Sequence, residues 1–156
     1  MAGVKITGTS MVGGEIWSND ITGMILNGVE VAPLVEAELD GRHPERRNLF
    51  AAVDAAAVRD AWADVGSLWD RTLKRALRYP DADEAFAVRR ERVDAIGTYI
   101  RRIDAKELQR QIRPKPSGGD PKESGETVLR RVRTLLREEW LHMYFADRDL
   151  TKLESA

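Results

Sequence analysis

Apolar residues recur every five positions at the start of the chain, at Ile6, Met11, Ile16, Ile21, Leu26 and Val31. That spacing fits neither the turn of a helix nor the strict alternation of a flat strand. It is the spacing of a pentapeptide-type coil, in which one residue of each quintet points inward. Six quintets make little more than one such coil, and repeat architectures bury a core only by stacking several units. The expectation for residues 1–31 is therefore a short β-hairpin or irregular strand segment, with Gly13-Gly14 at its turn.

From Ala32 onward the period becomes helical. Pro33 suits a first helical position and Gly41 a C-terminal stop, which predicts a short helix near 33–40. Asp54 is placed to cap a long helix reaching about Arg78. Its stripe is Val58, Ala61, Trp62, Val65, Leu68, Trp69, Leu73 and Ala76. Tyr79-Pro80 ends it, because a residue before proline avoids helical geometry. Asp81 with Glu84 is a capping-box signature for the next helix, with Phe86, Val93, Ile96, Ile100 and Ile103 inward. Asp104 with Glu107 starts a short turn through Leu108, and RPKPSGGDPKESG reads as a loop. A last helix, from Pro121 or Glu126 to Leu153, places Val128, Val132, Leu135, Leu136, Trp140, Met143 and Tyr144 at helical spacing. The pattern predicts a mostly α chain: an up-down bundle of three long helices over 32–156, preceded by the short β or irregular segment 1–31.

Composition narrows the function. The 156 residues suffice for one domain with a real core. Twenty-five basic against 26 acidic residues leave a net charge of −1, which does not favour nucleic acid. The doublets Arg89-Arg90, Arg101-Arg102 and Arg130-Arg131 lie among acidic neighbours without interleaved aromatics, so they read as solvated, ion-paired faces. No long apolar run and no signal pattern is present, so a cytoplasmic location without membrane contact is expected. The chain has no cysteine, which removes disulfides, thiolate ligands and a cysteine nucleophile together.

The best chemical candidate is the pair Glu138 and His142, four apart in EEWLHMYFADRDL. At that spacing a carboxylate and an imidazole share one helix face. They are half of a zinc-type site, which normally has three protein ligands and an open position. Glu139 points about a quarter-turn away. The structural alternative is a surface Glu–His pair, or a histidine beside Trp140. The other histidine, His43 in GRHPERR, follows a predicted helix end and suits the last carbonyls and the dipole there. Trp62, Trp69 and Trp140 fall on apolar stripes and read as core, with a ligand-binding wall as the functional alternative. Asp147-Arg148-Asp149 reads as an exposed charged turn, and Gly118-Gly119 lacks the residues of a phosphate cradle.

The string EEWLHMYFADRDLTKLE resembles the closing helix of the DinB-like superfamily, which includes mycothiol-dependent maleylpyruvate isomerase. NGVEVAPLVEAELDGRHPER resembles the lead-in of a subgroup with pentapeptide-like N-termini, and PDADEAFAVRRERVDAIGTYIRRIDAKEL its third bundle helix. The resemblance implies a four-helix bundle with a divalent metal held by a histidine on the second helix and two residues on the last. In the isomerase branch those two are a glutamate and a histidine four apart, matching Glu138 and His142. The family's second helix carries a Trp-Ser…Thr-Leu-Arg-His-Leu type segment, whereas here LKRALRY passes directly to PDADEAF.

The bundle expected from the resemblance is thus incomplete and lacks the helix that brings the first metal ligand. No cofactor is expected for a single chain, and a divalent metal (zinc or nickel) only if a third donor is supplied. Loss of a helix uncovers apolar stripes and favours a homodimer. Arg130, Arg131, Arg133 and Arg137 then either keep the uncovered side soluble or mark a dimer rim. The reading put first is a shortened protein with a degenerate metal site that binds a partner or a small apolar molecule. Behind it stands a metal-dependent thiol S-transferase or isomerase, completed across a dimer by His43 or a carboxylate. The third is a metal-free cyclase or isomerase using Glu138, His142 or Asp147 beside a tryptophan-lined pocket.

Overall fold

A computed structural model describes residues 6–8, 10–18, 21–80, 82–112 and 126–155. A two-strand hairpin, β1 (Ile25–Leu26) and β2 (Val29–Glu30), leads into α1 (Ala32–Arg42) and α2 (Glu45–Ala51). Two long helices follow, α3 (Ala55–Ala76) and α4 (Ala82–Arg102), then the short α5 (Ala105–Gln109). Strands β3 (Gln111–Ile112) and β4 (Glu126–Thr127) pair antiparallel and deliver the chain into α6 (Val128–Glu154). The mostly helical bundle with a short strand and irregular start is the predicted architecture. The capping box at Asp81 and the glycine-rich loop 113–125 fall outside the described residues.

The helix ends show how local chemistry sets the boundaries. Asp54 accepts the Ala57 N–H at 2.9 Å, Asp104 the Glu107 N–H at 2.7 Å and Thr127 the Arg130 N–H at 3.2 Å. Helix α1 runs through Gly41 and stops at His43, which is held out of helical geometry (φ −130°, ψ 73°) by the following Pro44. Gly41 is thus not the stop. The unpredicted α2 begins at once, and its two buried residues, Arg46 and Leu49, are too few to make a readable stripe.

The N-terminal segment turns elsewhere than predicted. The hairpin pairs Ile25 with Glu30 and Leu26 with Val29 around Asn27 (φ 50°) and Gly28 (φ 84°). Two consecutive left-handed residues are what a tight hairpin turn requires, and Asn-Gly supplies them best. In the pair Gly13-Gly14 only Gly13 is left-handed (φ 73°), so the chain bends there without pairing strands. The five-residue rhythm is real: Gly8, Gly13, Gly23 and Gly28 all have positive φ. Ile6, Met11, Ile16 and Leu26 face one open hollow of about 1050 Å3. They remain 47–67 % exposed, so the segment buries no core of its own.

The core lies where α3 meets α6, roofed by α2. Val58, Ala61, Val65 and Trp69 pack with Val132, Leu136, Trp140 and Met143, and Leu49 closes one end. Helix α4 lies along α3, and Gly97 permits the approach: a Cβ there would stand 3.1 Å from the Trp62 indole nitrogen. At the far end Arg75 of α3 binds Glu154 at 2.8 Å and also the half-exposed Asp147, so the charged turn of α6 is ion-paired to α3. No described helix is long and apolar enough to cross a membrane.

Helix α5 is fastened to α4 through Glu107. Glu107 accepts from Arg110 at 2.8 Å and from the Tyr99 hydroxyl at 2.7 Å. Those bonds, Arg110 first, hold its carboxyl down from 4.5 to about 2. A carboxylate with a depressed folded pKa stabilises fully above the unfolded pKa, and the contribution disappears as pH falls through the folded one. Glu107→Gln is therefore expected to be less stable than the parent near neutrality. The two should converge between pH 4.5 and about 2, as read by urea unfolding at stepped pH. A constant difference across that window would refute the assignment.

Candidate functional site

Glu138 and His142 occupy successive turns of α6, and both are exposed. Neither has a hydrogen-bond or ion-pair partner among the described residues. Glu139, a quarter-turn on, is committed to Arg89 at 2.5 Å. His43 lies around the other side of the helix. Its ring meets Trp140 edge-on at 5.3 Å and Tyr144 at 5.1 Å, and Tyr144 is about 200° around α6 from His142. At the end of α1 the His43 backbone N–H donates to the Leu39 carbonyl at 2.8 Å, while its ring Nδ1 stands 3.5 Å from Glu45. No group of three His, Asp or Glu side chains converges among the described residues. The described donors therefore do not make a complete metal site within one chain.

The three tryptophans are held in separate places. Trp140 is fully buried, and Trp69 is buried with its indole N–H on the Glu139 carbonyl at 3.2 Å and the Arg89 guanidinium 3.8 Å above its ring. Trp62 is half-buried against Gly97 of α4. All three pack against neighbouring helices in this arrangement.

A cavity does exist, and apart from Tyr144 it is built from residues that the helical pattern did not single out. The N-terminal segment folds back over α1 and the second half of α6, enclosing about 360 Å3. Its wall includes Trp17, Met24, Val35, Leu39, Tyr144 and Phe145. Trp17 meets Phe145 edge-on at 5.8 Å, and Arg148 lies 4.1 Å over the Trp17 ring. Tyr144 stacks on the buried Trp140 at 5.1 Å with only 10° between planes, so this wall is continuous with the core. Such a lining favours an apolar ligand with a flat or aromatic part.

A family model, the DinB superfamily, matches residues 16–146. The chain belongs to the DinB superfamily. The match begins beside Trp17 and ends beside Phe145, so the DinB portion contains both the aromatic cavity and the Glu138/His142 pair. No curated protein and no solved structure matches the chain. Within this DinB chain, Trp17 is the functional candidate that sequence reasoning missed. Its signal was a single tryptophan, the one aromatic residue in the glycine-rich segment 1–31.

Proposed function

We propose that this DinB chain acts by binding, and that its ligand is a small apolar molecule seated between the N-terminal segment and α6. The observation that carries this reading is the 360 Å3 aromatic cavity. Its volume is in the range of small-molecule sites, and Trp17, Tyr144 and Phe145 give it three ring faces or edges. The Glu138/His142 pair supports the same reading from the other side: two exposed donors without a third are a degenerate metal site. In this account the chain is a shortened, cytoplasmic member without the second bundle helix, and its pentapeptide-like start has become a wall of the ligand site.

A second reading keeps a specific observation. Between α4 and α6 lies a cleft of about 500 Å3 with Ile96, Tyr99 and Leu135 on its walls and Glu138 on its rim. A homodimer covering that face would bring a donor from the second copy towards Glu138 and His142. The chain would then serve as a metal-dependent thiol S-transferase or isomerase of the mycothiol-dependent kind.

One set of samples tests both. Trp17→Ala is expected to weaken binding of a hydrophobic fluorescent probe by tenfold or more while far-UV circular dichroism stays unchanged. Equal probe binding by parent and variant would sink the first reading. Metal analysis and native mass on the same material decide the second, which requires a dimer holding about one divalent ion per chain and losing it in His142→Ala.

A further inference from the structure

The first half of α6 carries a different kind of surface, turns away from the aromatic cavity. Arg130, Arg133 and Arg137 share one side of the helix. With Phe50, Thr127 and Leu129 they line a cleft of about 390 Å3. Arg133 gives Nε at 3.1 Å and Nη2 at 2.6 Å to the Phe50 carbonyl. That tie fixes the guanidinium in place with a neutral acceptor, so its charge is not cancelled.

The neighbouring carboxylates are already shared. Glu36 holds Arg137 with one oxygen at 2.5 Å and the buried Arg46 with the other at 2.5 Å. Glu126 holds Arg131 at 2.8 Å and reaches Arg130 only at 3.4 Å. Asp40 stands 3.2 Å from Arg46. Among these contacts five guanidinium groups meet three carboxylates, an excess of two positive charges. The N-terminus of α6 adds a partial positive charge at the same end. Thr127 accepts the Arg130 N–H, which leaves its hydroxyl hydrogen to donate elsewhere.

We propose that this cleft binds a compact dianion of the phosphate-monoester class. The phosphate faces Arg130, Arg133 and the Thr127 hydroxyl, and an attached ring or apolar group lies on Phe50 and Leu129. Planar guanidinium forks match phosphate oxygens in pairs, and a doubly negative group cancels the local excess. The proposal does not rest on the apolar-ligand reading, since the two sites share no lining residue.

The test is isothermal titration of the full chain with phenyl phosphate, alongside inorganic phosphate and phenol. One saturable phenyl phosphate site per chain is expected, weakened by added salt and roughly tenfold or more by Arg133→Ala. Arg130→Ala, at an exposed position of α6, is expected to weaken it similarly and guards against a folding defect in the first variant. Glu126→Gln should tighten binding several-fold by releasing Arg130, a gain that misfolding cannot imitate. Phenol should not bind, and inorganic phosphate should bind more weakly than its phenyl ester. No saturation at millimolar phenyl phosphate, equal binding of phenol, or unchanged affinity in both arginine variants would overturn the site. Inorganic phosphate binding as tightly as the ester would overturn the role of Phe50 and Leu129.

Discussion

Arg46→Ala is expected to lower the unfolding free energy by about 3 kcal/mol, the lower end of what losing one partner of a buried ion pair costs. Arg46 is 1 % exposed, an unusual position for an arginine. Its guanidinium lies 5.0 Å from the Phe50 ring centre and 4.7 Å from that of Trp140, and pairs with Glu36 and Asp40. Alanine removes a whole side chain from between two rings and leaves both carboxylates without their buried partner. The estimate is set low because Glu36 and Asp40 are about a third exposed and keep contact with water, and Glu36 retains Arg137. Arg46→Met separates volume from charge. It fills most of the gap between the rings and is expected to cost clearly less than alanine, as read from urea midpoints at equal slope. A methionine variant as unstable as the alanine one would show that charge, not packing, dominates. A loss under about 1 kcal/mol in Arg46→Ala would contradict the buried-pair account altogether.

Arg46 also marks where the sequence stopped being legible. In GRHPERR no apolar stripe points to its burial, and α2 carries too little apolar pattern to announce itself. Its burial depends on α1 and α2 closing over α6, which no local period encodes. The long helices were legible because their stripes are local, and the caps at Asp54 and Asp104 appear where the sequence placed them. Spacing also put Glu138 and His142 on one face of α6. It did not say which way that face turns, because the opposite stripe through Leu136, Trp140 and Met143 decides it by packing on α3. The role of Trp17 was not legible for a different reason: its partners Tyr144, Phe145 and Arg148 lie more than a hundred residues on.

Trp140→Ala is expected to be the most destabilising single change, at about 4 kcal/mol. The indole is fully buried, with His43, Phe50 and Tyr144 around its ring and Arg46 above it. Alanine there leaves a cavity bounded by the α1–α2 junction, α2 and α6, which cannot all move inward together. Trp140→Phe makes a contrasting case. The indole N–H has no acceptor among the described residues, and an unpaired buried donor costs about 1–3 kcal/mol. Phenylalanine removes that donor while keeping a ring under Tyr144, so its cost is expected to stay near 1 kcal/mol. The pair also connects stability to the ligand site, because Tyr144 is both the stacking partner of Trp140 and a wall of the aromatic cavity. Probe binding should therefore fall in Trp140→Ala even under conditions where the variant is fully folded, and persist in Trp140→Phe. Since Arg46 rests on the same ring, the double variant Arg46→Ala/Trp140→Ala should lose less than the sum of the two single losses. Full additivity would mean that the guanidinium and the indole contribute independently, against the contact that the fold places between them.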